Sequence, residues 1–255
     1  MKIAVCLAGQ IRTGIRTSES ILDYLGNLRP NCDFFIHTWK TRTPSPGFEI
    51  KSDRPEDFRV DVPLTEISAF HRIYCPISFV VDDFDIFIRT RTFNERRGIS
   101  MPFYYSVSYS LEQKCLLEKN RKIEYDYVVV LRPDICIEST KKLIDDINHL
   151  VETKSNMTFV DMHLDGDKQI DSTLWVCDNK TSNQLKEYDN YRITTGKTND
   201  DQIELKEWLE NVWKTSVTPM PNKNVWIYRK HHEKMNVHHS DYTTARSIDI
   251  SKLFS

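Results

Sequence analysis

Four short stretches of the chain each end or follow a run of apolar residues, and their side chains are suited to binding an anion directly or through a divalent cation. They are Gly9-Gln10-Ile11-Arg12, His37-Thr38-Trp39, Asp82-Asp83 and Arg132-Pro133-Asp134. Arginine donates charge-assisted hydrogen bonds to phosphate, and carboxylates are ligands for divalent cations. A diphosphate requires such cationic donors and often a divalent ion. These groups act together only if the fold brings the four stretches to one place.

The apolar runs at these stretches have the pattern of buried strands. They are KIAVCLA (2–8), CDFFIHTW (32–39), ISFVV (77–81) and YDYVVVL (125–131). Helical spacing of apolar residues is found between them, over residues 17–28, 64–74 and 104–119. This alternation predicts an α/β fold with a mainly parallel central sheet flanked by helices. Ligands of such sheets bind at the carboxyl ends of the strands, so we expect the four stretches to lie side by side.

The remaining residues are predicted to complete one domain over residues 1–255. The expected elements are a helix over 140–152, strands over 157–162 and 172–178, and helices near 179–190 and 200–213. From about residue 215 no regular pattern is present, which predicts an irregular C-terminal segment. At the other end of the chain, Thr17 or Ser18 is the expected N-cap of the first helix.

The composition is that of a globular protein without an excess of positive charge. Hydrophobic residues make up 39% of the chain, charged residues 28%, and the net charge is −2. This balance argues against binding to nucleic acid. No apolar run approaches the roughly 18 residues of a transmembrane helix, and the short apolar N-terminus predicts a strand. The six cysteines include no CxxC pair, which predicts reduced, buried thiols and a cytoplasmic location.

Several common catalytic and cofactor motifs are absent from the sequence. No GxGxxG follows the first strand, which disfavours a dinucleotide-binding fold, and there is no GxxxxGK[ST] phosphate-binding loop. A GxSxG turn and an HExxH helix are also missing, which disfavours serine hydrolases of the usual kind and zinc proteases. What remains is a sheet whose strand ends carry Arg, Asp, His and Trp.

Motifs along the first 140 residues or so resemble those of a known family. AVCLAGQIRTG, DFFIHTW, YSVSYSLEQK and YDYVVVLRPDI occur here in the order and spacing of small glycosyltransferase-like proteins of bacterial surface-polysaccharide clusters, large viruses and phages. These proteins are similar to GT-A glycosyltransferases, which are single α/β domains that bind a nucleotide sugar. The resemblance implies transfer of a sugar from a nucleotide-diphosphate sugar to a glycan acceptor, as in polysaccharide biosynthesis.

The resemblance assigns the leading site residue to Asp134. GT-A enzymes typically end a central strand with Asp-x-Asp, whose carboxylates reach a Mn²⁺ or Mg²⁺ on the diphosphate. This chain keeps the second carboxylate, Asp134, and has Arg132 in place of the first. A metal at Asp134 is expected to be completed by a late histidine, His238 or His239, whereas Arg132 can itself neutralise phosphate charge. The structural alternative is that Arg132 pairs with a core carboxylate and Asp134 caps a turn.

Five further residues are expected to bind the substrate. Gly9 allows close approach of the backbone, and Gln10 lies in the same loop. Arg12 can reach a phosphate or the base, or it is simply exposed on a tight turn. His37 ends the second strand together with Trp39, which stacks on a base or sugar or else packs in the core.

A transferase also requires a base. In an inverting reaction a carboxylate takes the proton of the acceptor hydroxyl as this oxygen attacks the anomeric carbon. Asp171 and Asp201 are the candidates, and the structural alternative for each is to flank a strand or cap a helix. The triplets Asp83-Phe84-Asp85 and Asp165-Gly166-Asp167 rank below Asp134 as metal sites, because the first fits a helix cap and the second a turn.

Two other functions remain open at the level of sequence. One is a metal-dependent hydrolase or nucleotidyltransferase, which predicts a cluster of the late histidines with Asp83 or Asp165. The other is a nucleotide- or glycan-binding protein without turnover, since the first Asp of the expected triplet is replaced by Arg132.

Overall fold

The computed structural model describes residues 1–42, 60–90, 101–161, 170–195, 201–220 and 225–227. The strands in these ranges are β1 (Ile3–Ala8), β2 (Cys32–Trp39), β3 (Thr41–Arg42), β4 (Val60–Asp61), β5 (Ser78–Asp82), β6 (Tyr127–Leu131), β7 (Ile135–Ile137), β8 (Met157–Asp161), β9 (Ile170–Asp178), β10 (Val217–Pro219) and β11 (Val225–Ile227). The helices are α1 (Gly14–Leu25), α2 (Leu64–Tyr74), α3 (Phe84–Thr90), α4 (Met101–Arg121), α5 (Leu143–Thr153), α6 (Asn179–Leu185), α7 (Tyr188–Thr195) and α8 (Asp201–Glu207). A 3-10 turn at Gly26–Asn31 follows α1, and a π-helical turn at Trp208–Val212 follows α8.

A seven-stranded sheet forms the centre of the molecule, in the order β10-β8-β9-β6-β1-β2-β5. The neighbours β5, β2, β1 and β6 are parallel, and β10 is parallel to β8. Strand β9 is antiparallel to both of its neighbours, β6 and β8. The predicted α/β fold with a mainly parallel sheet is therefore confirmed. Two small sheets accompany it, in which β11 pairs with β7 and β3 with β4.

Helices cover both faces of the sheet because the central strands are apolar on both sides. In β1, the side chains of Ile3, Val5 and Leu7 join one core cluster, and the alternate side chains join another. The first cluster contains apolar residues of α1, α2 and α5, and the second contains residues of α4, α6, α7 and α8. This is the pattern of a sheet buried on both faces, in which continuous apolar strands replace alternating ones.

The structure differs from the predicted elements mainly at helix ends and in short strands. Helix α1 begins at Gly14, before Thr17 and Ser18, the residues expected to cap it. Both lie inside the helix, and their hydroxyl groups donate to backbone carbonyls instead of capping its first turn. The helix expected near 179–190 is two helices, α6 and α7. The segment after residue 215, expected to be irregular, contains β10 and β11, which are too short to show a periodic pattern.

No helix within the described ranges is long and apolar enough to cross a membrane. All six cysteines are free, as predicted, but only Cys6 and Cys177 are buried, and Cys75 is exposed. Burial raises the pKa of the Cys6 thiol to about 12, which keeps this residue protonated and unreactive near neutral pH.

Candidate active site

The four short stretches identified in the sequence lie along one edge of the sheet. Strands β5, β2, β1 and β6 are parallel neighbours, so their carboxyl ends point the same way. The Cα of Trp39 at the end of β2 is paired with that of Asp82 at the end of β5, and His37 is paired with Ala8. With neighbouring strands about 4.8 Å apart, the edge from β5 to β6 measures roughly 14 Å. The site expected from the sequence thus has a continuous platform.

Two residues of the Arg132-Pro133-Asp134 triplet, Arg132 and Asp134, form an ion pair with each other. Arg132 donates from Nε to Asp134 Oδ1 at 2.8 Å and from Nη2 to Oδ2 at 2.9 Å. A second guanidinium reaches the same carboxylate, because Arg12 Nη1 lies 3.3 Å from Oδ2, while Arg12 Nε donates to Gln10 Oε1 at 2.9 Å. Asp134 is therefore the partner of Arg132, and the side chains predicted from the β1 and β6 loops form one cluster.

The two arginines are more exposed than the carboxylate that joins them. The side chain of Asp134 is 1% exposed, whereas those of Arg12 and Arg132 are 20% and 19% exposed. The arginine side chains are therefore the members of this cluster that reach the surface. Guanidinium groups at this edge of the sheet are suited to binding an anion.

The turn that carries this ion pair is fixed against helix α1. Proline holds its own φ near −65°, which limits the conformations of the triplet. The carbonyl oxygen of Pro133 accepts a hydrogen bond from Thr17 Oγ1 at 2.7 Å. Gly14 lies so close that a Cβ there would be 3.3 Å from the same carbonyl oxygen and 2.8 Å from Phe70 Cε2. Helix α1 therefore positions both the turn and the arginine cluster.

Gly9 is required by the backbone conformation of the loop after β1. Its φ is +118°, a value that side-chain-bearing residues rarely adopt. Its N–H donates to the carbonyl of His37 at 3.1 Å, which ties the β1 loop to β2. The loop then leads to Gln10 and Arg12. Direct contact of the Gly9 backbone with a ligand stays a prediction.

The other end of the edge is an aromatic corner around His37 and Asp82. His37 is fully buried, and its Nε2 lies 3.0 Å from Asp82 Oδ2, which also accepts a hydrogen bond from Tyr105 at 3.1 Å. The hydrogen bond from His37 lowers the pKa of Asp82 from its ordinary value, and the Tyr105 hydroxyl acts in the same direction. Trp39 is also buried and packs against Tyr105 and Phe84.

This burial changes the roles expected for two residues. His37 and Trp39 were expected to contact the substrate, but neither has open surface in this structure, and Trp39 takes the packing role that the sequence left open. Asp82 is a charged group of this corner that a ligand can touch, since its side chain is 34% exposed. Its position directly after an apolar strand was visible in the sequence, but the choice of Asp82 over its neighbours required the fold.

The first of the two literal Asp-x-Asp triplets is a helix cap. Asp83 Oδ1 accepts hydrogen bonds from the backbone N–H of Asp85 at 2.8 Å and of Ile86 at 3.3 Å, at the start of α3. Asp83 also pairs with Lys40, whose hydrogen bond lowers its pKa. The structural interpretation of this triplet is confirmed. The second triplet, at residues 165–167, lies outside the described residues.

Asp171 lies on β9, the strand next to β6 in the sheet. Strand β9 runs antiparallel to β6, and Leu174 is paired with Leu131, the last residue of β6. The pairing of β9 with β8 is irregular between Ile170 and Trp175, so the register does not fix the position of Asp171 relative to the Arg132-Pro133-Asp134 turn. Asp201 is the first residue of α8, which packs on β9 through Leu205. The side chains of both aspartates lie outside the described part of the chain, and their catalytic role stays a prediction.

The groups around Asp134 do not fit the divalent ion predicted there. Both carboxylate oxygens accept hydrogen bonds from guanidinium groups, so a cation on these oxygens would lie against two positive charges. Among the residues whose positions are described, no group of three or more His, Cys, Asp or Glu side chains could hold a metal ion. His238, the predicted second ligand, is not among them.

Comparisons with known proteins give only distant structural similarities. No protein-family model and no curated protein matches the chain. One similar solved structure is the glycosyltransferase GlyE of Streptococcus pneumoniae TIGR4, with 12% identity, a TM-score of 0.44, and coverage of 87% of this chain and 45% of that chain. The chain thus spans less than half of GlyE. Another is a glycosyltransferase involved in the glycosylation of the major capsid of PBCV-1, with 10% identity, a TM-score of 0.45, and coverage of 86% and 82%. At these TM-scores and identities the similarities assign no function to this chain.

Proposed function

We propose that the protein is a glycosyltransferase that moves a sugar from a nucleotide-diphosphate sugar to a glycan acceptor. The observation that carries the proposal is the pair of partly exposed arginine side chains, Arg12 and Arg132, at the carboxyl edge of the parallel strands. Ligands of open α/β sheets bind at this edge, and arginine is the residue best suited to phosphate. The sequence motifs that resemble the glycosyltransferase-like family include both arginines.

The chemistry proposed for the arginines is stabilisation of the leaving group. When the bond between the anomeric carbon and the diphosphate breaks, the bonding electron pair and its negative charge remain on the diphosphate. Donors that are already fixed at the place where this charge develops stabilise the transition state without reorganisation. Arg132 is fixed by its two hydrogen bonds to Asp134, and Arg12 by its bonds to Gln10 and Asp134.

The proposed base is a carboxylate from the second half of the sheet. The acceptor hydroxyl attacks the anomeric carbon and transfers its proton to Asp171 or Asp201. Asp171 is the preferred candidate, because it lies on β9, the strand next to β6 in the sheet. The proposed acceptor is a sugar on a growing surface glycan, and the proposed location of the reaction is the cytoplasm.

A turnover assay tests this proposal without knowledge of the acceptor. UDP-, GDP-, CDP- and dTDP-hexoses are incubated with the protein, with and without added Mn²⁺, and nucleoside diphosphate release is measured with water as the slow acceptor. We expect release from one donor class, and a decrease of about 100-fold in Asp171→Asn if this carboxylate is the base. Asp201→Asn is assayed in parallel, and Asp23→Asn, an exposed residue of α1, is the control. Binding of a nucleotide without release from any donor would support a non-catalytic binding protein instead.

A further inference from the structure

We infer that Asp134 is a positioning residue which holds Arg12 and Arg132 as a two-guanidinium clamp, and that this clamp binds the donor diphosphate without a divalent ion. The inference rests on the proposed function and concerns the same site. It differs from the sequence expectation, in which Asp134 is itself a ligand of Mn²⁺ or Mg²⁺. It assigns to two side chains of the protein the charge neutralisation that a metal ion would otherwise supply.

The contacts made by the Asp134 carboxylate support the clamp. Both oxygens of Asp134 accept from Arg132, at 2.8 and 2.9 Å, and Oδ2 also lies 3.3 Å from Arg12 Nη1. This parallel, two-bond geometry is the strongest that an arginine and a carboxylate adopt. A divalent ion would have to displace the Arg132 guanidinium from these oxygens and then remain beside both positive charges.

The exposure of the three side chains also supports the clamp. A metal ligand in a substrate site must be open to the ion and, through it, to the phosphate. Asp134 is 1% exposed, whereas each arginine is about one fifth exposed. The two arginine side chains are therefore the members of the cluster that an anion can reach, and the carboxylate is covered.

Hydrogen bonds hold the backbone of both arginines in place, which a clamp requires because it is effective only if its donors are fixed. The backbone of the triplet is fixed by the bond from Thr17 Oγ1 to the Pro133 carbonyl. The backbone of Arg12 is fixed from the other side, since Arg42 Nη1 donates to the Arg12 carbonyl at 3.2 Å. Arg42 is itself paired with Glu66 at 2.5 and 3.0 Å. Both arginines thus belong to connected networks that fix their orientation before a ligand arrives.

A buried ion pair elsewhere in the molecule supports this distinction between structural and ligand-facing charges. Asp146 accepts from Lys141 at 2.8 Å and from Tyr24 at 2.6 Å, and all three side chains are buried. That network closes on itself and ties α1 to α5. Asp134 is buried in the same way as Asp146, but the side chains of its two arginines reach the surface at the carboxyl edge of the strands.

Isothermal titration calorimetry with free UDP, GDP, CDP and dTDP tests the inference directly. Each nucleotide is titrated into the wild-type protein in EDTA and then in Mn²⁺ or Mg²⁺. We expect one nucleotide to bind with the same Kd, within about twofold, in all three conditions. Arg132→Gln should weaken binding about tenfold or more in EDTA, and Arg121→Gln, an exposed arginine at the end of α4, should not.

The outcomes separate this inference from the proposed function. Binding that is lost in EDTA and restored by Mn²⁺ would overturn the clamp and leave the glycosyltransferase proposal standing. Absence of binding for every nucleotide in every condition would overturn both. Binding in EDTA that is unchanged by Arg132→Gln would also overturn the clamp.

The role of Asp134 is tested by kinetics on folded protein. Asp134→Asn keeps the size of the side chain and removes its charge, so the guanidinium groups lose the group that orients them. We expect kcat for diphosphate release to fall more than KM rises, equally in EDTA and in Mn²⁺. A purely structural role would lower the melting temperature and leave kcat per folded molecule unchanged. If the variant does not fold, the wild-type comparison between EDTA and Mn²⁺ still decides between metal and clamp.

Discussion

At the scale of single residues, the partners of a carboxylate determine its role more than its place in the sequence does. Asp82 ends a strand, and Asp83 and Asp134 lie just after strands, at the same edge of the sheet. Asp83 caps a helix, Asp134 joins two arginines, and Asp82 is held by His37 and Tyr105 while one third of it stays exposed. These three roles are not visible in a sequence that shows only an aspartate after an apolar run.

The hydrogen bond between His37 and Asp82 predicts a dependence of stability on pH. The pKa of Asp82 is lower in the folded protein than in the unfolded chain, first because of this hydrogen bond. The stabilisation is therefore present above the unfolded pKa of about 3.9 and is lost as the pH falls below it. We expect the wild type to lose more free energy of unfolding between pH 5 and pH 3 than Asp82→Asn does. Urea titrations over this range measure the difference, and parallel curves for the two proteins would refute it.

At the scale of elements, the site depends on the close contact of α1 with the Arg132-Pro133-Asp134 turn. Gly14→Ala tests this contact, because two opposite effects apply to the same substitution. Alanine is favoured over glycine in a helix by about 1 kcal/mol. The added Cβ would, however, lie 2.8 Å from Phe70 Cε2, closer than packed atoms allow, and 3.3 Å from the Pro133 carbonyl oxygen, which is a tight contact.

We expect the steric effect to prevail, with a loss of about 1–3 kcal/mol in the free energy of unfolding. Urea unfolding measures this loss, and Glu19→Ala on the exposed face of the same helix is the control, with an expected change within about 0.5 kcal/mol. A gain in stability for Gly14→Ala would mean that α1 and the turn separate easily, and that the helix does not position the arginines.

The length of an element and the distance to its pairing partner explain whether the sequence predicts it. Strands β1, β2, β5 and β6 are five to eight residues long and each contains a run of apolar residues, so both the strands and their polar ends are recognisable. The short strands β10 and β11 depend on pairing with β8 and β7, which are distant in sequence. The sequence predicts a start of α1 at Thr17 or Ser18 that differs from the observed one. Thr13 caps the helix without a side-chain hydrogen bond, and Thr17 and Ser18 donate to the carbonyls of other residues.

At the scale of the whole molecule, the order of the strands creates the site. The loops after β1 and β6 belong to residues more than 120 positions apart, and they meet because these strands are neighbours. Alternating strands and helices predict a parallel sheet, and hence that the loops share an edge. The strand order is set by long-range packing, so the contact of Arg12 with Asp134 could not be deduced from the sequence. The bidentate pair of Arg132 with Asp134 also depends on the turn geometry.

The most direct test of the central claim is a thermal-shift screen of UDP, GDP, CDP and dTDP in EDTA. It uses the wild type, Arg132→Gln and the control Arg121→Gln. A ligand that binds only the folded state raises the melting temperature, by about 5–10 °C at a hundredfold excess over Kd for a protein of this size. We predict such a shift with one nucleotide for the wild type and the control, and its loss in Arg132→Gln. No shift for any nucleotide, or an equal shift in Arg132→Gln, would contradict the assignment of the arginine cluster as the diphosphate site.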